Sequence, residues 1–253
     1  METIEKSPEL LTIGEIVATN YRTADIFDKY GIDFCCGGKR LLADVCTQKG
    51  IHFESVLQEV NQLGDSNMPI PMQAYQHWPL DFLIEYIVQT HHQYLQEELP
   101  QLAAYLHKLV QVHGSRHPEL AQVESLFVSL KNELLSHLWK EENILFPYIK
   151  KIVALQKENG KLNCMFAANP ILVMEAEHET AGDLLKEIRQ TTQNFTLPED
   201  ACTTYRVTFD KLKALEKDLH THVHLENNIL FPKSMMLENQ LLNQPQSRDE
   251  YVI

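Results

Sequence analysis

His137-Leu138-Trp139-Lys140-Glu141-Glu142-Asn143-Ile144-Leu145-Phe146-Pro147 returns, little altered, as His222-Val223-His224-Leu225-Glu226-Asn227-Asn228-Ile229-Leu230-Phe231-Pro232. In each copy a glutamate follows a histidine by four residues, a spacing that on an α-helix sets imidazole and carboxylate on one face, a turn apart. Each copy can therefore offer a cation one nitrogen and one oxygen. The flanking apolar residues say which way these faces look. Val123, Phe127, Leu130, Leu134, His137, Glu141 and Leu145 succeed one another at steps of three or four, as do Tyr205, Phe209, Leu212, Leu215, Leu219, His222, Glu226 and Ile229. Both His/Glu pairs thus belong to core-facing stripes. An unpaired buried carboxylate costs on the order of several kcal/mol, so a chain that buries two at matched positions is expected to compensate them with cations.

The 253 residues suffice for one large or two smaller domains. Leu, Glu, Gln, Lys and Ala prevail in long Gly-free stretches, which favours an all-α fold. A formal net charge of −13 argues against nucleic acid or an anionic membrane as partner, since both require a basic patch. No stretch is apolar for the length of a bilayer and no signal segment is evident, so a cytoplasmic location is expected. Five cysteines, an odd and sparse set, do not make a disulfide framework, and reduced thiols are expected.

Residues 1–62 read as a small helical domain. Thr12 and Glu15 have the spacing of a capping box, a second helix spans Ala24 to Lys29 and closes at Gly31, a third begins near Leu41, and a fourth spans Phe53 to Gln62. Between them lies Asp33-Phe34-Cys35-Cys36-Gly37-Gly38-Lys39-Arg40. Adjacent cysteines rarely form a relaxed disulfide. Beside Lys39 and Arg40 their pKa values would be lowered, leaving Cys35 and Cys36 free to bind metal or react; the plainer alternative is that they pack as small apolar groups. Residues 63–78, with two prolines and a glycine, read as a linker. Four long helices fill 79–236: one from Pro79 toward Leu106 with a kink at Pro100, one through the first repeat to about Leu155 with a bend at Pro147, one from about Pro170, and one from Ala201 to Met236. Residues 237–253 read as a frayed polar tail.

The helix before each His-x3-Glu copy carries a histidine on its own core stripe, His178 in one case and His91 or His92 in the other. A four-helix bundle would aim four imidazoles and two carboxylates at one interior. That is too many donors for one tetrahedral zinc. It suits two cations bridged by the glutamates, with iron favoured and manganese second. Glu133 and Asp218, each four residues before a repeat histidine, and Glu177 beside His178 could orient ligands, bridge or relay protons, or simply be solvated. His220 and His224 turn away from the Glu226 face by helix geometry. His52, His77, His107, His113 and His117 lack a partner at ligand spacing and read as surface or loop residues.

Tyr30-Gly31-Ile32-Asp33-Phe34-Cys35-Cys36-Gly37-Gly38-Lys39, Ser136-His137, Val173-Met174-Glu175-Ala176-Glu177-His178-Glu179, Ala201-Cys202-Thr203-Thr204 and Leu225-Glu226-Asn227-Asn228 add to the duplicated motif. Together they make the sequence resemble the repair-of-iron-centres (RIC) di-iron proteins of bacteria over nearly its whole length. The resemblance implies a hemerythrin-like bundle holding two non-haem Fe ions, oxo- and carboxylate-bridged, with His92, His137, Glu141, His178, His222 and Glu226 as ligands. It chooses His92 over His91 by the distance to Leu99-Pro100. It further implies functional roles for Cys35, Cys36, Glu133 and Glu177. The implied activity is repair of iron–sulfur clusters damaged by nitrosative or oxidative stress, by supply of iron to damaged iron–sulfur proteins. Nitric oxide or oxygen would be small ligands, and a homodimer is compatible with the family. The alternatives use the same centre: a nitric oxide reductase, or a hemerythrin-like oxygen or nitric oxide binding protein. Whether the protein turns over a substrate stays open at this stage.

Overall fold

The computed structural model describes residues 10–63 and 72–243. The extreme termini and positions 64–71 of the expected linker lie outside the described residues. The small domain comprises α1 (Ile13–Thr19), α2 (Thr23–Lys29), α3 (Leu42–Lys49) and α4 (Phe53–Gln62). Thr12 caps α1 reciprocally: its hydroxyl accepts the Glu15 N–H at 3.2 Å, and Glu15 accepts the Thr12 N–H at 2.9 Å. Gly31 closes α2 with φ +61°, a conformation that suits a residue lacking Cβ. A 3-10 turn, Met72–His77, leads into the bundle.

The bundle has four long helices. Helix α5 is built from Leu80–Ile87, a π-turn over Val88–His92, and Gln93–His113. Helix α6 joins Glu119–Lys140, a π-turn over Glu141–Leu145, and Phe146–Lys157; α7 is Ala168–Thr191; α8 joins Thr203–Leu225, a π-turn over Glu226–Leu230, and Phe231–Leu242. Among the described residues there is no strand, only an isolated bridge between Thr12 and Leu41. No helix among them is long and apolar enough to cross a membrane.

Two apolar layers divide the bundle. Leu102, Phe127, Leu130, Leu185, Tyr205 and Leu212 belong to one, and Ile84, Phe146, Ile149, Leu225 and Phe231 to the other. On the core stripes of α5 to α8, His92, His137, Glu141, His178, His222 and Glu226 fall between the two layers. The polar centre is thus closed off from water above and below.

Several boundaries differ from the sequence reading. Helix α5 continues through Pro100 and past Leu106 to His113, which buries His113 (3% exposed) beside Tyr205, with Nε2 3.2 Å from Cys202 Sγ. The surface assignment of His113 is therefore corrected. The last helix runs to Leu242, past the expected start of the tail at Leu237. Its Leu237 and Leu241 pack on Ile152 and Val153, and Glu238 accepts the N–H groups of Phe166 (2.7 Å) and Ala167 (2.9 Å). Those are orphan donors at the start of α7, whose positive end also favours a carboxylate. Pro147 and Pro232 bring π-turns: the Phe146 N–H reaches back five residues to the Glu141 carbonyl, and Phe231 does the same to Glu226. Each proline follows directly, where the ladder needs no donor.

The small domain packs on α8 through Val223 and through ring contacts of Tyr21 and Phe34 with His224, and one polar side chain of α8 grips its Cys-Cys loop. Asn228, two residues beyond Glu226, donates to the carbonyls of Phe34 (3.2 Å) and Cys35 (3.3 Å) and contacts Nδ1 of His224 at 3.0 Å. A β-carbon at Gly38 would collide with Asn228 Oδ1 and lie 2.8 Å from the Phe34 carbonyl. Gly38→Ala is therefore expected to destabilise the protein by about 1–3 kcal/mol, the usual cost of overpacking. Chemical denaturation measures it; an unchanged midpoint would show that this contact is slack.

Candidate metal centre

The four-residue step within each repeat brings His137 Nε2 to 3.3 Å from Glu141 Oε2, and His222 Nε2 to 3.0 Å from Glu226 Oε1. The bundle then crosses the pairs. Glu141 Oε2 lies 3.4 Å from His92 Nε2, and Glu226 Oε2 lies 3.3 Å from His178 Nε2. His92 and His222 face each other through their Nε2 atoms at 3.1 Å, and His137 and His178 at 2.9 Å. Two donor sets result, His92/His222 and His137/His178, each completed by both Glu141 and Glu226. Each glutamate belongs to both sets, so the carboxylates stand where bridging groups would.

Both glutamates are fully buried. Neither oxygen of Glu141, nor Oε2 of Glu226, takes a hydrogen bond of good geometry, and Nδ1 of His222 has no partner. Buried carboxylate oxygens without a well-formed hydrogen bond are oxygens aimed where a cation can be held. Burial and mutual repulsion oppose ionisation of Glu141, yet the imidazoles of His137 and His92 hold it below the usual carboxylate range; Glu226, beside His222 and His178, lies further below. Burial alone would lower His92 and His137, but Glu141 and Glu226 raise His92 to about 10, and Glu141 with Glu177 raises His137 to about 10. Without metal, protonated imidazoles thus neutralise the carboxylates. Four nitrogens and two shared carboxylates, with no sulfur, make a donor set that fits iron.

Binding cations at these nitrogens must expel those protons. Loading at pH 7 to 8 is expected to release about two protons per chain, one each from His92 and His137. The release should fade as pH rises past about 10, where both imidazoles are already neutral. Titration in weakly buffered solution measures it; loading without proton release would mean these imidazoles are not displaced.

A second tier of residues fixes the ring orientations. Glu142 Oε1 accepts from His92 Nδ1 at 2.8 Å, Asn227 Oδ1 from His178 Nδ1 at 2.9 Å, and Glu177 Oε2 from His137 Nδ1 at 2.9 Å. Lys140 also binds Glu177, and the hydrogen bond from His137, against burial, carries Glu177 down to about 2. His91, the competitor of His92, points elsewhere: its Nδ1 pairs with Asp218 Oδ1 at 2.9 Å, and its ring stacks on His222 at 5.5 Å. Burial drops His224 to about 4, and Asn228 contacts its Nδ1, away from the donor sets. Glu133 is exposed and, with Glu177, lines a crevice of about 10 Å³ that reaches His137, His178 and His222, room for one water-sized molecule. Sequence reasoning missed Glu142 and Asn227, although their matched positions after Glu141 and Glu226 were the available signal.

Cys35 is buried and Cys36 half-buried, and Cys36 Sγ lies 3.5 Å from the His178 carbonyl. The surroundings of Cys35 overturn the lowering expected from Lys39 and Arg40. Lys39 pairs with Glu175 at 2.6 Å and Arg40 with Gln48 at 2.5 Å, while Cys35 Sγ sits 3.3 Å from Asp33 Oδ1. The hydrogen bond to Cys36, burial and Asp33 together push the Cys35 thiol well above its ordinary value.

Comparison with known proteins places this arrangement. Residues 83–234 match the hemerythrin HHE cation binding domain, and residues 10–64 match a domain of unknown function, DUF542. The chain is 37% identical over 224 residues to the iron-sulfur cluster repair protein YtfE of Cronobacter sakazakii, covering 88% of this chain and 95% of that protein. The chain belongs to the YtfE family. The protein of that name from Citrobacter koseri is 36% identical over 223 residues, 88% of this chain and 96% of its own. Family membership thus spans both the small domain and the bundle.

Proposed function

We propose that this protein restores iron–sulfur clusters damaged by nitrosative or oxidative stress, supplying iron from a pair of non-haem ions held between α5, α6, α7 and α8. The observation that carries this reading is the sharing of Glu141 and Glu226 between two histidine pairs, with buried carboxylate oxygens that no hydrogen bond satisfies. The names of the YtfE relatives support the repair activity. When bound, the iron pair supplies exchangeable, redox-active cations. The protein's own residues do the rest. His92, His137, His178 and His222 give neutral nitrogen donors once their protons leave, Glu141 and Glu226 tie the two positions together, and the apolar layers exclude water. Donors limited to nitrogen and oxygen, without a closed thiolate cage, allow a cation to be surrendered. Glu133 and Glu177 mark the crevice through which nitric oxide or oxygen, as small ligands, reach the centre. Cys35 and Cys36 serve the client side, and the partners are damaged iron–sulfur proteins of the cytoplasm.

The test is an oxygen-free assay in which a dehydratase with a nitric-oxide-damaged [4Fe–4S] cluster is mixed with the iron-loaded protein. Recovery of dehydratase activity is expected with the native chain and not with Glu141→Leu/Glu226→Leu. Equal recovery with that variant would remove the proposal. The crevice also suits a nitric oxide reductase or a diatomic-binding protein; steady nitric oxide consumption or tight binding without client repair would favour those readings.

A further inference from the structure

The small domain presents a second group of metal-binding atoms that the bundle does not use. Asp33 Oδ1, Cys35 Sγ and Cys36 Sγ all lie within 4.8 Å of one another. The two sulfurs are 3.8 Å apart, and Asp33 Oδ1 is 3.3 Å from Cys35 Sγ. Backbone N–H groups of Cys35 (3.1 Å) and Cys36 (3.0 Å) donate to the same Oδ1 and fix the carboxylate toward the thiols. Its other oxygen, Oδ2, faces Lys186 at 3.9 Å. The group opens on a cavity of about 280 Å³ whose far wall includes Leu185, Arg189 and His220. On its inner side Cys36 Sγ approaches the carbonyl of His178, a residue of the bundle's donor set, at 3.5 Å.

The charge pattern selects among the uses of a thiol pair. A nucleophilic cysteine needs a basic neighbour that stabilises thiolate, and the basic groups around the pair are engaged elsewhere: Lys39 by Glu175, Arg40 by Gln48, and Lys186 by Asp183 at 3.1 Å and by the outer oxygen of Asp33. The group in contact is a carboxylate. Two potential thiolates beside a carboxylate concentrate negative charge, which a cation resolves and a free thiolate does not. Two sulfurs and one oxygen fit borderline divalent cations such as iron(II), cobalt(II) or zinc(II), and not magnesium or calcium. Three protein donors are one fewer than a closed structural site uses, so the cation stays exchangeable.

We propose that Asp33, Cys35 and Cys36 form a single-cation site for iron(II), separate from the bundle's pair and set between it and the cavity. Binding forms two sulfur–metal bonds and one oxygen–metal bond and releases the two thiol protons to solvent, with no change of oxidation state. The role as a station for iron leaving the bundle rests on the reading of the bundle as an iron store; the site itself does not.

Cobalt(II) serves as the probe, titrated into reduced, full-length protein without oxygen. Thiolate ligation gives an intense near-ultraviolet charge-transfer band that nitrogen and oxygen ligands do not. Glu141→Leu/Glu226→Leu is expected to develop the band at one cobalt per chain. Cys35→Ser/Cys36→Ser is expected to lose it while its bundle still takes cations and its helix content stays native. Cys36→Ser alone, at the half-buried position, guards against misfolding and should weaken binding at least about 10-fold. Absence of the band in the native chain, or a band unchanged in the double serine variant, overturns the site. A bundle that takes no cation in a chain that shows the band sinks the iron-store reading and leaves this site standing.

Discussion

Glu141→Leu alone is expected to empty both cation positions of the bundle, not one, and Glu226→Leu to do the same. Each carboxylate belongs to both donor sets, so one substitution removes an oxygen from each. The affinity loss should exceed about 100-fold, the upper end of what losing even an outer hydrogen-bond partner costs. Helix content should survive. Leucine introduces no unsatisfied group, and removing one partner of a buried ion pair is costly because it strands the charge of the other. Here the partners are imidazoles, which can lose a proton. In the metal-free native chain His92 and His137 are raised from 6.5 to about 10 by these carboxylates. Their pairing therefore stabilises the fold fully below about pH 6.5, and that contribution is lost as pH climbs through about 10. Glu141→Leu should flatten this slope. Metal analysis and circular dichroism across pH measure both effects. One cation retained per chain in either variant would mean that the glutamates do not bridge.

How far the sequence led can be judged at particular residues. The all-α bundle was legible because apolar residues at three- and four-residue steps leave little freedom in how a helix buries itself. The meeting of six donors was legible because the repeat supplies each pair twice. His91 against His92 was not separable from periodicity, and the π-turn Val88–His92 explains why: one extra residue rotates the following stripe by about 100° relative to the preceding one. Propensity carries no signal for such a turn. In the other two copies Leu-Phe-Pro marks it, since proline removes a donor the ladder would otherwise need. The thiols' surroundings were misread for another reason. Lys39 and Arg40 are close in sequence to Cys35 and Cys36, but Lys39 is drawn off by Glu175, from the far side of the chain. Local charge says little when a distant carboxylate competes for it.

The residues next to the shared glutamates should tell the two donor sets apart. Glu142 anchors His92, and Asn227 anchors His178; these histidines belong to different donor sets. Removing an outer hydrogen-bond partner of a ligand histidine lowers metal affinity by about 10–100-fold, because the ring is freed to rotate and its basicity falls. The other member of each set then decides where in that range a variant lands. His137, the companion of His178, is still held by Glu177, itself clamped by Lys140. His222, the companion of His92, has no partner at Nδ1 and only the stacked ring of His91 beside it. Glu142→Ala strips the last anchor from its set and is expected near the 100-fold end; Asn227→Ala leaves one in place and is expected near 10-fold. Competition against a chelator, followed to both equivalents, should show Glu142→Ala lowering the weaker step and Asn227→Ala the stronger. The position between His92 and His222 would then be the first to release its cation. If both variants weakened the same step equally, the asymmetry between the two positions would have no part in how the metal is held.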